Sequence, residues 1–318
     1  MKREKPKVAV IGASGIGKHH AKWWDIEGAD VCAFAGSSPD SVTRTGEMLA
    51  DMFGFDGEGY AEVDALLREQ RPDIVDVCTP PEWHFRHAAA ALDAGCDVLC
   101  EKPFVCEPGA DPAVLLQKAR KLVKKAEDAG RRLGLCSQYH AVVRCCRDIL
   151  TEHTGQEQVT RYRGHIESPA RDRPPDPLAV WIDLSPHMLA AAQALAPGAG
   201  LARDTVRTFF SGYQASARFR VERRDGEAMD CHVVTGRTLP GAEAGNIRDF
   251  ELNDARFRIG GGTDADGVYC AAIQTPWGTF ERPDGLRLII REFLEGGVPL
   301  DGPSAVTNLS WMLELAPN

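Results

Sequence analysis

Alternation in the first 140 residues is what most constrains this chain. Short apolar, β-branched runs at 7–11, 31–35, 74–78, 97–100 and 133–138 are separated by segments of helical periodicity at 16–27, 39–53, 63–70, 82–94 and 111–129. Continuous apolar strands joined through helices by short connections predict a parallel sheet covered on both faces. The expected fold class here is α/β, a doubly wound parallel sheet spanning residues 1–139.

The second half, 140–318, reads differently. Helical patterns are expected at 141–152 and up to about 196, with a strand at 159–166 and a Pro/Arg/Asp-rich loop at 169–177. Several strand-like runs follow between 205 and 280, with turns expected at Gly236, Gly241 and Gly260–Gly262, and closing helices at 285–294 and 304–315. This pattern predicts an α+β domain built on a largely antiparallel, open-faced sheet. A sheet with one uncovered face is expected to expose apolar surface and so to favour symmetric association.

Composition narrows the function. The 318 residues fit two domains. Lys plus Arg total 37 against 46 Asp plus Glu, a formal charge of −9 that argues against a nucleic-acid partner. No apolar run reaches the length of a membrane span, and the basic start is followed by too short an apolar stretch for a signal peptide. A cytoplasmic chain is expected. Ten cysteines occur without a C-x-x-C pair, so they are expected as small buried residues and no metal site is predicted.

The segment Gly12-Ala13-Ser14-Gly15-Ile16-Gly17 ends the first strand and opens the first helix. That setting turns a glycine-rich match into a dinucleotide-binding expectation, a Rossmann domain. Gly12 permits the tight turn and Gly17 close helix–strand packing, while Ser14, Gly15 and Ile16 face the pyrophosphate at the helix start. Ser14 stands where the motif has its middle glycine. After the second strand, where NAD binding calls for an acid, the chain has Gly36-Ser37-Ser38. With Arg44 further along, these hydroxyls and a helix start suit a 2′-phosphate, so NADP(H) is expected over NAD(H).

Two later strand ends point into the same crevice. Thr79-Pro80-Pro81 leads to His84, and Glu101-Lys102-Pro103 follows the strand at 97–100. Together with the glycine turn and Asp183-x-x-x-His187, these motifs resemble the Gfo/Idh/MocA family. The resemblance is strong over the first 140 residues and thinner beyond His187. It implies a two-domain NAD(P)-dependent enzyme acting on sugars and cyclitols, dimeric or tetrameric. It implies that Lys102 lies beside nicotinamide and substrate, often with a cis bond to Pro103, and that Asp183 and His187 complete the site. Thr79, Pro80, His84 and Glu101 are expected to line the cofactor.

The residue chemistry agrees with that implication. Oxidising an alcohol requires a base, and a neutral histidine suits it. Lys102 would stabilise alkoxide charge, and Asp183, one turn before His187, would orient the imidazole or bind a hydroxyl. Ser185-Pro186 can start a helix, which would put His187 at a helix N-terminus where the dipole keeps it neutral. Substrate-pocket candidates are Tyr139, His140, Arg144, Arg161, His165 and Trp181, while His20 is assigned to packing. The segment Leu178-Ala179-Val180-Trp181 replaces a glycine pair frequent in that family, and Ser185 a frequent glycine. Competing readings are a redox-neutral glycoside-cleaving enzyme, a non-catalytic NAD(P) or sugar sensor, and a semialdehyde dehydrogenase with a cysteine nucleophile.

Overall fold

The computed structural model describes residues 5–239, 246–265 and 267–317, so Gly241 lies outside the described residues. They form two compact units. One is Met1–Cys136 with Leu286–Val306, the other Ser137–Gly285 with Thr307–Asn318.

The first unit follows the order β1 (Lys7–Ile11), α1 (Gly17–Ile26), β2 (Asp30–Ala35), α2 (Pro39–Phe53), β3 (Glu58–Tyr60), α3 (Val63–Gln70), β4 (Ile74–Val77), α4 (His84–Asp93), β5 (Asp97–Glu101), α5 (Pro112–Ala129) and β6 (Leu133–Cys136). Its six strands are all parallel, in the spatial order β3-β2-β1-β4-β5-β6. The order reverses direction at β1, which opens a crevice beyond the carboxyl ends of β1 and β4. Every residue of β4 and β6 is buried, the signature of a sheet covered on both faces.

Residues 286–306, read from sequence as part of the second domain, pack with this first unit instead. The Phe293 ring meets Trp24 edge-on at 6.1 Å, and the Arg132 guanidinium sits 4.2 Å from the centre of the Phe293 ring. Arg287 and Arg291 both pair with Glu27. A parallel sheet needs helices on both faces, and the chain supplies one of them from its far end.

The second unit contains α6 (Gln138–Thr154), β7 (Arg161–Pro169), α7 (Pro177–Leu195), β8 (Gly200–Ser211), β9 (Gln214–Glu222), β10 (Ala228–Thr238), β11 (Ile247–Leu252), β12 (Ala255–Thr263), β13 (Tyr269–Thr275) and β14 (Gly278–Pro283). Helices α8 (Gly285–Leu294) and α9 (Gly302–Glu314) end the chain. The eight strands are ordered β14-β13-β12-β11-β7-β10-β9-β8, antiparallel except for the parallel pair β7 and β10. Gly236 lies inside β10 and Gly260–Gly262 inside β12, not at turns.

Burial alternates along β7, β9 and most of β10, and α7 covers their inner row. The Tyr162 hydroxyl, for instance, donates to the Met188 carbonyl at 2.9 Å. The outer row carries Arg161, Arg163, His165 and Glu167 on β7, Arg218 and Arg220 on β9, Asp230 and His232 on β10, and Arg256 and Arg258 on β12. Charge dominates this uncovered face, with Phe209 of β8 exposed in the same row, so the exposed apolar surface expected there is confined to a small part of it. No described helix is long and apolar enough to cross a membrane.

Candidate functional site

Gly12 turns the chain with φ +92°, and a Cβ there would lie 2.9 Å from the Cys78 and Thr79 backbone. A Cβ on Gly17 would lie 2.5 Å from the Gly12 carbonyl. Both positions admit only glycine, because β1, β4 and α1 converge too tightly for a side chain. Gly15 has open space, and Ser14, Gly15 and Ile16 are exposed. No side chain caps the α1 N-terminus, and the His19 N–H already donates to the Ile16 carbonyl at 2.9 Å, so the N–H groups of Gly17 and Lys18 are the ones a bound anion would meet. This cradle fits a dinucleotide pyrophosphate.

At the end of β2, Gly36 is half-buried and Ser37 exposed. The Ser38 hydroxyl oxygen accepts from the Ser41 N–H at 3.2 Å and caps α2 behind Pro39. Arg44 is exposed on the same helix, and Asp30 lies at the opposite, starting end of β2.

The ends of β4 and β5 are tied together by side chains. The two ring nitrogens of His84 lie 2.8 Å from the Pro103 carbonyl and 2.9 Å from the Thr79 carbonyl. His84 is fully buried, and that burial pushes its pKa down against the pull of the two carbonyls. It was expected to line the cofactor, but it braces two loops from beneath. Pro80 is exposed and Thr79 half-buried. The Lys102–Pro103 peptide is cis.

Below Lys102 lies a buried polar cluster. His20 Nδ1 is 2.8 Å from Asp76 Oδ2, and Nε2 is 3.2 Å from Glu101 Oε1. Trp24 Nε1 donates to Asp76 Oδ2 at 2.6 Å, and the Lys102 N–H donates to Glu101 Oε2 at 3.1 Å. Burial alone would lower the His20 pKa, but the Asp76 charge and hydrogen bond, reinforced by Glu101, raise it to about 10. His20 is thus an ion in a buried network rather than simple packing. Potential metal donors of His20, Asp76 and Cys78, and of His20, Glu101 and Cys136, lie within 4.8 Å of one another. Burial pushes both thiols well above their usual pKa, which opposes thiolate ligation.

All ten cysteines are unpaired, and burial is the first cause of an upward pKa shift in each. That environment is the reverse of what a nucleophilic thiol needs.

In the second unit, α7 carries Asp183 and His187 one turn apart. The helix starts at Pro177, capped by the Asp176 side chain, which accepts from the Ala179 N–H at 2.9 Å. His187 therefore sits mid-helix, and the expected placement at a helix N-terminus does not hold. Pro186 lies inside the helix and removes one backbone donor. Asn308 Nδ2 donates to its carbonyl at 3.1 Å. The imidazole of His187 is set by α6: Nδ1 is 3.0 Å from the buried Ser137 hydroxyl, and the Tyr139 ring meets it edge-on at 5.1 Å. Asp183 pairs with Arg237, which also bonds Ser168. Ser168 and Arg237 are register partners at the carboxyl ends of β7 and β10.

Several substrate-pocket candidates lie elsewhere. Trp181 is 0% exposed, with its ring against Phe210 and Nε1 donating to the Met312 carbonyl at 2.9 Å. Arg161 and His165 belong to the outer row of β7, opposite the face that α7 covers. There Arg161 pairs with Asp254, and His165 Nε2 is 2.8 Å from Glu167 Oε1. Tyr139 is buried beneath His187, and burial, opposed by Arg248, pushes its hydroxyl to about 12. Burial and then Arg144 push the buried His140 down to about 3. Ser137, Arg237 and Ser168 escaped the sequence reading because nothing in spacing ties Ser137 to His187, 50 positions on, or Arg237 to Asp183, 54 positions back, and Ser168 enters only through Arg237.

Residues 6–136 match the family model GFO_IDH_MocA, described as an oxidoreductase family with an NAD-binding Rossmann fold. The chain is 33% identical over 133 residues to D-glucoside 3-dehydrogenase of Escherichia coli, covering 40% of this chain and 33% of that protein. It is 39% identical over 108 residues to D-xylose 1-dehydrogenase (NADP(+)) of Hypocrea jecorina, covering 32% and 25%. The chain thus spans a third or less of the length of these two curated relatives. Among solved structures, UDP-N-acetylglucosamine 3-dehydrogenase of Acidithiobacillus ferrooxidans aligns with a TM-score of 0.71 at 19% identity, covering 98% of this chain and 97% of that one, a likeness of fold. The glycine turn and Glu101-Lys102-Pro103 lie inside the matched segment, so residues 6–136 are similar to the Gfo/Idh/MocA oxidoreductases and carry the NAD-binding Rossmann fold that the family model describes.

Proposed function

We propose that this chain transfers hydride between a nicotinamide cofactor, NADP(H) in preference to NAD(H), and a secondary alcohol or ketone of a sugar, cyclitol or related polyhydroxylated molecule. The observation that carries this reading is the glycine turn, closed on the Cys78–Thr79 backbone beside the lysine-bearing end of β5. Sugar dehydrogenase names among the relatives support the substrate class.

Ser14, Gly15 and the first N–H groups of α1 would hold the pyrophosphate. Ser37, Ser38 and Arg44 would receive a 2′-phosphate, since β2 is followed by Gly36-Ser37-Ser38 in place of the acid that holds the ribose of NAD, with Asp40 in the first turn of α2 opposing it slightly. When bound, the nicotinamide supplies the hydride acceptor or donor. Lys102 stabilises negative charge on the substrate oxygen. His187 takes or returns the hydroxyl proton at Nε2 while Ser137 fixes Nδ1. Asp183, held by Arg237, accepts from a substrate hydroxyl. The charged outer sheet face means that association as a homodimer or homotetramer through that face would rest on paired charges.

The test is a screen of sugars and cyclitols against NAD and NADP, read by absorbance of the reduced nicotinamide. Turnover with at least one polyol supports the reading. No turnover in either direction, from protein that binds the cofactor, would sink it. Arg44→Ala is expected to weaken NADP binding about tenfold and leave NAD binding unchanged, as loss of a charged phosphate contact requires.

A further inference from the structure

The buried cluster beneath Lys102 has no part in the chemistry above. Four polar groups stand where neighbouring parallel strands bury only apolar side chains: His20, Asp76 and the Trp24 indole are each 0% exposed, and Glu101 is nearly buried. None of their buried side-chain polar atoms lacks a partner. Such a network is costly to desolvate unless it is complete, and when complete it fixes geometry.

We propose that His20 is a positioning residue for Lys102, acting through Glu101. The geometry is a relay from the start of α1 to the ends of β4 and β5. His20 lies in the first turn of α1, three residues after Gly17 of the cofactor turn. Its Nδ1 reaches Asp76 on β4 and its Nε2 reaches Oε1 of Glu101 on β5. The other Glu101 oxygen receives the Lys102 N–H. One carboxylate thus faces the imidazole with one oxygen and the lysine backbone with the other. Rotating it would break both contacts.

His20 holds its proton across neutral pH, because the two carboxylates outweigh burial. Both ring nitrogens therefore donate, and the link to Glu101 does not depend on which tautomer forms. On the other flank, His84 holds the Pro103 carbonyl. The Lys102 backbone is bracketed between two histidine contacts, one through Glu101 and one direct to the next residue.

This inference rests on Lys102 acting as the oxyanion partner. The test compares His20→Gln, Glu101→Gln and the double variant in the full chain. It measures kcat, KM and cofactor Kd with the best substrate of the screen, and melting temperature. A second readout is competitive acetylation of Lys102 by acetic anhydride, scored by mass spectrometry against the exposed Lys124. Each single variant is expected to lower kcat about tenfold or more, with KM and Kd within about twofold, as misplacement of a reacting group does. The double variant is expected to be no worse than the worse single variant, because one relay is broken once. Lys102 acetylation relative to Lys124 is expected to change about threefold or more as the lysine is released.

An unchanged kcat in folded variants overturns the proposal. So does a loss confined to KM or Kd, or unfolding of both single variants, which would mark the cluster as structural. Should His20→Gln alone fail to fold, Glu101→Gln decides, since it cuts the same relay at a residue less deeply buried than His20. Should the unmodified protein turn over no alcohol, the proposed reaction falls. Acetylation then decides the relay alone, and an unaltered Lys102 rate overturns it.

Discussion

In β4 and β6 every residue is buried, whereas on β9 exposure alternates almost residue by residue. The parallel sheet has helices on both faces, and its strand interiors are mostly apolar. Its proposed functional groups come from the strand ends and the turns beyond them: Gly12, Thr79 and Glu101-Lys102. The second sheet has one covered face. Its proposed functional groups come from the covering helix α7, where Arg237 pairs with Asp183 at the margin of the inner row. A strand-end group sits on a turn braced by the buried network at its own strand ends, while a helix-borne group is set by side chains of a neighbouring helix and strand. The two assigned centres should therefore fail in different ways when perturbed.

The largest expected effects test the two centres directly. Lys102→Ala should lower kcat/KM about 10²- to 10³-fold, as removal of an oxyanion donor does, with cofactor Kd unchanged by fluorescence titration. His187→Asn should cost a similar factor, within the range of about 10²–10⁴ for a lost acid–base group. It should also remove one limb of the pH–rate profile. If only the lysine variant loses activity, the helix-borne centre is not part of the chemistry.

A smaller effect separates the positions within the turn. Gly12→Ala forces a side chain into φ +92° and against the Cys78 backbone, and should cost about 1–3 kcal/mol in urea unfolding while also weakening cofactor binding. Gly15→Ala meets open space and should stay within about 0.5 kcal/mol. Equal losses would contradict the assignment of Gly12 as the closed point of the turn.

Stability against pH sharpens the contrast in burial. The His20 pKa is raised from 6.5 to about 10 on folding, so the folded state keeps a proton that the unfolded chain releases. That contribution is fully present below the unfolded value and declines as pH rises from 6.5 toward 10. Unfolding free energy should therefore fall between about pH 6.5 and 7.5, a window below the ordinary cysteine pKa of about 8.5. His20→Gln should flatten that fall. A wild-type curve flat over this window would show that His20 is not held as an ion.

The least effect belongs to the outer sheet face. Arg220 and Asp230 pair at 3.0 Å, with about half or more of each side chain exposed. Arg220→Ala should shift stability by about 0–1 kcal/mol, and less at high salt. A larger loss would mean that this face is covered in the working assembly.

Much of the first unit was legible in the sequence. Its strands are short apolar runs, its turns carry glycine where a Cβ would collide, and its motifs follow strand ends within a few residues. The second unit was legible mainly as a class. Strand alternation announces a half-covered sheet, but not that the outer row is charged and paired, nor that glycines 236 and 260–262 lie inside strands. Trp181, Arg161 and His165 looked alike as pocket candidates because spacing carries no information about which face of a sheet is covered.

By itself the sequence determined the parallel α/β domain, the cofactor turn and the identity of Lys102, Asp183 and His187 as candidates, because local periodicity and backbone sterics act over a few residues. Only the tertiary structure decided what holds each of them. The far-end segment 286–306 returns to the first unit, Ser137 and Arg237 fix the α7 pair, and His20 stands as an ion between Asp76 and Glu101. Those contacts join residues tens to hundreds of positions apart, and burial gives them their strength only once the chain has folded.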